Sequence, residues 1–207
     1  MKSGVKVTAD KAADVLASLR QLSGMDVLVG IPESKAARDD GSPISNAELG
    51  YLHSTGGTIQ IPEHTTTIYR QVDKNGDLKH DGKFVKASKS NLATTHIVPA
   101  HTVTLPPRPF LEMGIEDSKP RTTDKLKAAA VAALDGKPEV ALRALESAGQ
   151  IARDASKAVI GSGDQLNPLS EATLERRRNA KPPIPGDKPL YATGKLLGSI
   201  NYVVRKK

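Results

Sequence analysis

His64 and His101 occupy equivalent places in two similar stretches, IPEHTTTI (residues 61–68) and VPAHTVTL (residues 98–105). Both fit the pattern I/V-P-x-H-T-x-T-I/L. Paired as neighbouring strands, the two stretches would bring the imidazoles together as nitrogen ligands for a divalent metal. Two histidines are too few for a structural zinc site without acidic partners, and spacing alone brings neither Glu63 nor Asp81 to them. The plainer expectation is two half-exposed strand histidines hydrogen-bonded to threonines. Asp39-Asp40-Gly41 reads as a turn rather than a cation site. Arg176, Arg177 and Arg178, with Lys181, offer contacts to phosphates, but no aromatic stacking platform lies near them. The chain has no P-loop, no dinucleotide fingerprint, no His-Glu-x-x-His and no Gly-x-Ser-x-Gly. The expectation is a protein that is not an enzyme, with no catalytic site, no metal and no cofactor.

Composition narrows the classes further. With 207 residues the chain can form one domain with a core, or one domain plus an arm. Apolar residues make up only 38%, with two Phe, four Tyr and no Trp, so an extended protein that buries surface in an assembly is expected. No run of 18 apolar residues suggests a membrane span. The first residues, MKSGVKVTAD, lack an apolar signal core, and cysteine is absent; synthesis in the cytosol fits both. The net charge of +7 is concentrated at the C-terminal end. Residues 171–207 hold nine Lys/Arg against three acids, so +6 of the +7 lies there. A basic tail on a neutral body fits contact with nucleic acid, with the acidic surface of a neighbouring subunit, or simply with solvent.

The elements that must position these residues follow from pattern. A helix is predicted from Ala9 to Leu22, capped by Thr8 or Asp10, with Ala12, Val15, Ala17, Leu19 and Leu22 on its apolar stripe. Met25–Ile31 reads as a buried strand and 33–43 as a loop. Ser45 can cap a short helix over 46–54, which Gly56-Gly57 ends. An insertion follows, 61–97, within a core of 1–60 and 98–207. Asp73-Lys-Asn-Gly-Asp77 is a hairpin signal, with 66–72 and 83–87 as the expected arms. Arg70, Lys74, Lys79, Lys83, Lys86 and Lys89 make this arm basic around Asn75, and Asp73, Asp77 and Asp81 offset part of the charge.

Val98 to Leu111, VPAHTVTLPPRPFL, is the pivot of the chain. Pro106, Pro107 and Pro109 fix φ and remove three donors, so the stretch is neither helix interior nor central strand. Phe110, held by three prolines in an aromatic-poor chain, reads as an anchor beside Arg108. A break at 117–120 is expected next, then a helix over 124–134 whose face is Leu126, Ala129, Ala130, Ala133 and Leu134. Gly136 and Pro138 end it. The strongest period runs from Glu139 to about Ile160. Its many alanines predict close packing on a flat partner such as a sheet. Ser170 is expected to cap a short basic helix, and 199–204 reads as a closing strand with Ile200, Tyr202 and Val204 on one face. The fold class expected is α+β: a small antiparallel sheet packed against two long helices, with a projecting β-hairpin arm.

Three of these stretches carry a resemblance. PPRPFL after a VPAHTVT strand resembles the "IP-x-RPFL" signature of small tail-completion or neck proteins of long-tailed bacteriophages, the Mu-like virion-morphogenesis family among them. PLYATGKLLGSINYVV, residues 189–204, is similar to the same families' closing motif, and NPLS with TLERRR, residues 167–178, resembles their Ser-capped basic helix. NAELG, residues 46–50, is an approximate match to a fourth element. The resemblance implies a structural virion protein that completes the tail and joins it to the head. It would be made in the host cytoplasm and end in the virion neck. Its implied partners are copies of itself in a ring, with six as the expected number, the head connector or stopper, and the tail tube or terminator. Non-specific contact with packaged DNA is a further expectation. Candidate contact residues are Arg70, Lys74, Asn75, Lys79, Lys83, Lys86, Lys89, Arg108, Phe110, Arg176, Arg177 and Arg178. The alternative is a DNA-binding accessory protein using the basic C-terminal region; a metal enzyme built on His64 and His101 is a third reading.

Overall fold

The computed structural model describes residues 12–38 and 44–207. The fold is α+β, with antiparallel two-stranded sheets and two long packed helices. The chain divides into two compact units. One runs up to Gly56 and resumes from Pro106 to Lys207; the other is Gly57–Leu105, bounds that lie outside the 61–97 expected for the insertion.

Helix α1 (Ala12–Ser23) turns Val15, Ser18, Leu19 and Leu22 inward at helical spacing. Ala12 and Ala17, assigned to the same stripe, are exposed instead. The start expected at Ala9, its caps Thr8 and Asp10, and the Asp39-Asp40-Gly41 turn lie outside the described residues. Strand β1 (Met25–Gly30) follows. Helix α2 (Asn46–Thr55) opens on a reciprocal capping box. The Ser45 hydroxyl accepts from the Glu48 amide at 3.2 Å, and the Glu48 carboxylate accepts from the Ser45 amide at 2.8 Å.

The second unit is one long antiparallel ribbon. Strand β2 (Gly57–Ile61) pairs with β5 (His101–Leu105), and β3 (His64–Arg70) pairs with β4 (Leu92–Val98). A single register runs through both pairs, from Gly57 opposite Leu105 to Arg70 opposite Leu92. The ladder is interrupted only where Pro62 and Pro99 withdraw a donor from each side. The twin I/V-P-x-H segments are thus paired with each other. The turn at Asp73–Asp77 forms, with the Asp73 carboxylate accepting from the amides of Asn75 and Asp77 at 2.8 and 3.0 Å. It closes only one bridge, Val72 to Leu78. Residues 83–87, expected as the return strand, form no strand, and their one backbone bond to β3 is Val85 amide to Tyr69 carbonyl at 2.9 Å. The β-branched run of β4 outcompetes that lysine-rich stretch for pairing with β3.

Helix α3 (Phe110–Leu134) runs unbroken through Pro120, where a break was expected. Pro120 forfeits one backbone bond, but tertiary packing holds the helix on both sides. Phe110 and Ser118 are fully buried, and a side chain at Gly114 would collide with the backbone of Ser156. On the distal half Ala129, Ala132 and Ala133 face inward, whereas Leu126 and Leu134, assigned to the apolar face, are about half exposed.

Helix α4 (Pro138–Ser162) packs against α3 and against the strand pair beneath it. After α5 (Glu171–Asn179) and α6 (Lys195–Ser199), strand β6 (Asn201–Lys206) closes the chain on β1, with Val27 opposite Val204. The flat partner predicted for α4 exists as this β1–β6 pair: a Cβ on Gly149 would meet Tyr202 Cγ at 2.9 Å and Val27 Cγ1 at 3.0 Å. Two clusters make the core. Phe110, Val159, Ile160, Leu166 and Ile200 form one, and Ala129, Ala132, Ala133, Ala141 and Leu145 the other. Among the described residues no helix is long and apolar enough to cross a membrane.

Candidate functional site: a clamped turn, a basic cleft and an inserted ribbon

The Pro-Pro-Arg-Pro-Phe turn is held by its own backbone and by two distant segments. Pro109, at φ −78° and ψ 62°, is the centre of an inverse γ-turn. The Phe110 amide donates to the Arg108 carbonyl at 2.8 Å. Asn167 Nδ2 donates to the Pro107 carbonyl at 2.7 Å, and the Arg108 amide donates to the His53 carbonyl, also at 2.7 Å. The Arg108 side chain completes the clamp, with Nε donating to the Asn167 carbonyl at 2.7 Å and a terminal nitrogen to the Pro168 carbonyl at 2.8 Å. Arg108 is 5% exposed and Phe110 fully buried. Both were expected as partner contacts; both are interior groups that hold this unit together.

Beside the clamp lies a cleft of about 350 Å³. Its walls bring together the three stretches that carry the sequence resemblance: Arg108 from the proline turn, Thr173 and Arg177 from α5, and Leu190 with Ala192 to Leu196 from the closing segment. Arg38, Asn46, Leu49 and His53 complete it. Arg38, His53, Arg108, Arg177 and Lys195 give it a basic lining among the described residues. His53 Nδ1 is buried without a hydrogen-bond partner. Burial, and secondarily the charge of Arg108, holds the His53 pKa below its ordinary value. Burial also lowers that of Arg108.

The triple-arginine run does not act as one surface. Arg177 spends a terminal nitrogen on the carbonyls of Gly186 and Lys188, at 3.3 and 3.1 Å, tying the proline-rich connector to α5. Arg178 pairs with Glu171 at 3.0 Å. Arg176 is exposed. Ser170 stands at the N-cap position of α5, but its hydroxyl meets the Thr173 hydroxyl at 3.0 Å rather than a backbone amide.

In the inserted unit Lys74, Asn75, Lys79, Lys83, Lys86 and Lys89 are exposed, as a contact surface requires. Arg70 is not: its guanidinium sits over the Phe84 ring at 5.3 Å and its Nε is buried without a partner. No residue of Gly57–Leu105 is fully buried, and Ile59, Phe84 and Ile97 are 60%, 67% and 69% exposed. The feature missed in the sequence is this lack of a core. His64 and His101 do not meet. His64 lies opposite Val98 and His101 opposite Ile61, an offset of about 10 Å along the ladder. Each Nδ1 instead lies near the carbonyl of its own proline, Pro62 at 3.1 Å and Pro99 at 3.0 Å. The threonine contact expected of them belongs to His96, whose Nε2 is 3.1 Å from the Thr94 hydroxyl. Among the described residues no group of three or more His, Asp or Glu is placed to hold a metal. No family model, no curated protein and no solved structure matches this chain.

Proposed function

We propose that the chain is a structural protein of a bacteriophage neck that completes the tail and joins it to the head connector, assembling as a ring of its own copies. The observation that carries the assembly part is the inserted ribbon. It holds no fully buried residue and shows large apolar side chains and lysines to solvent. A two-stranded ribbon is marginal alone in water, and each large apolar side chain it buries against a partner contributes about 1.5–3 kcal/mol. In a ring, one patch meets a different patch on the next copy, and the exposed apolar side chains of the ribbon offer one such patch. The neck assignment itself rests on the sequence resemblance.

The test is electron microscopy of lysates from a phage whose copy of this gene carries a stop codon. Filled heads separate from free tails are the expected result. Joined particles of normal appearance would remove the neck reading.

A further inference from the structure

We infer that Asn75, in the tip of the inserted ribbon, is a self-modifying site at which the chain converts its own asparagine to aspartate or isoaspartate. The Gly76 backbone nitrogen gives up its proton and bonds to the Asn75 side-chain carbon Cγ. The Cγ–Nδ2 bond breaks, and the nitrogen leaves as ammonia with that proton. Water then opens the cyclic imide at one or other of its carbonyls. A carboxylate remains at position 75, on a normal or a lengthened main chain. Ring closure needs a free carboxamide, an uncrowded amide after it, and a backbone that can turn one onto the other.

The ribbon tip meets all three needs. Asp73 to Gly76 form a type I turn: the Gly76 amide donates to the Asp73 carbonyl at 3.3 Å, and neither Lys74 nor Asn75 has a positive φ. Gly76, at φ +88°, is the left-handed bulge residue that returns the chain to Asp77. The turn therefore demands a glycine after the asparagine, and that glycine puts no side chain beside the attacking nitrogen. The nitrogen's one bond, to Asp73, is longer than most amide hydrogen bonds. Asn75 and Gly76 are exposed, and the Asn75 carboxamide has no hydrogen-bond partner among the described residues. Beyond the Val72 to Leu78 bridge the tip is held by the bonds of Asp73 alone, so opening it costs little. The other five asparagines lack this combination. Asn167 precedes a proline, which has no amide to attack. Asn46, Asn91, Asn179 and Asn201 precede residues whose side chains crowd the amide, and the carboxamides of Asn46, Asn91 and Asn201 are hydrogen-bonded as well. Conversion sets a carboxylate between Asp73 and Asp77, so the tip loses positive charge around Lys74 and Lys79 as the molecule ages.

The test holds the full chain at neutral pH, below its melting temperature, for days. Intact mass and a peptide map follow it, with an isoaspartyl methyltransferase as the reagent that detects isoaspartate. A gain of about one dalton per chain is expected, located at Asn75 and accompanied there by isoaspartate, with the other asparagines intact. Asn75→Gln, at an exposed position, keeps the fold and abolishes the gain. A free peptide of residues 71–79 gives the unprotected rate, and the folded chain should react within about tenfold of it, because the tip opens at little cost. A folded chain slower than that margin overturns the inference. So does a gain that falls on another asparagine or survives Asn75→Gln.

Discussion

Phe110 has no solvent-accessible surface and sits in the core cluster with Val159, Ile160, Leu166 and Ile200. Its ring reaches toward Gly50 of α2, where an added Cβ would lie 3.7 Å from Cζ. Phe110→Ala should therefore cost about 3–5 kcal/mol in urea unfolding, the usual cost of a cavity left by a buried Phe. A loss near zero would mean that the site collapses without penalty and that the anchor role is wrong. His53 makes a pH prediction. Its folded pKa lies below the ordinary 6.5, so between the two values the unfolded chain binds a proton that the folded chain does not. Stability then falls as pH drops through 6.5 toward the folded pKa, and is fully retained only above 6.5. Melting curves between neutral and mildly acidic pH should show this slope, and His53→Gln should flatten it.

Among elements, α3 carries the largest local contradiction. Pro120 is exposed in the middle of the helix, where it lacks an amide for the Glu116 carbonyl and crowds the preceding turn. Pro120→Ala restores that bond and raises intrinsic helix propensity, so a stabilisation of about 2 kcal/mol is expected after allowing for the greater freedom of the unfolded chain. Chemical denaturation measures it directly; a destabilised variant would mean that the proline geometry is required by packing on α4. Helix α4 depends instead on small residues at its contacts, with Gly114 of α3 against its Ser156 and its Gly149 against Tyr202 of β6. That is why so alanine-rich a helix can be a core element.

For the whole molecule, the inserted ribbon and the α+β unit are separable questions. Arg70 lies directly opposite Leu92, so residues 71–91 can be replaced by Asn-Gly, a pair suited to a tight hairpin turn. The shortened chain should keep the melting temperature of the α+β unit and lose self-association in sedimentation velocity. Unchanged association would place the subunit contact elsewhere, and a lost thermal transition would show that the tip supports the body.

Much of this architecture was legible in the residues because its causes are local. The Ser45 cap, the Asn-Gly turn, the strand over 25–30, the long helix from 139 and the proline turn before Phe110 each depend on φ preferences, side-chain caps or a 3.6-residue period within a few positions. What the sequence could not decide was set across long separations. The pairing of 64–70 with 92–98 rather than 83–87, the passage of α3 through Pro120, and the burial of Arg108 on the carbonyls of Asn167 and Pro168 are contests between distant partners. The basic cleft is the extreme instance. Its basic side chains, Arg38, Arg108, Arg177 and Lys195 with the imidazole of His53, come from five separate stretches that only the tertiary structure gathers into one concavity.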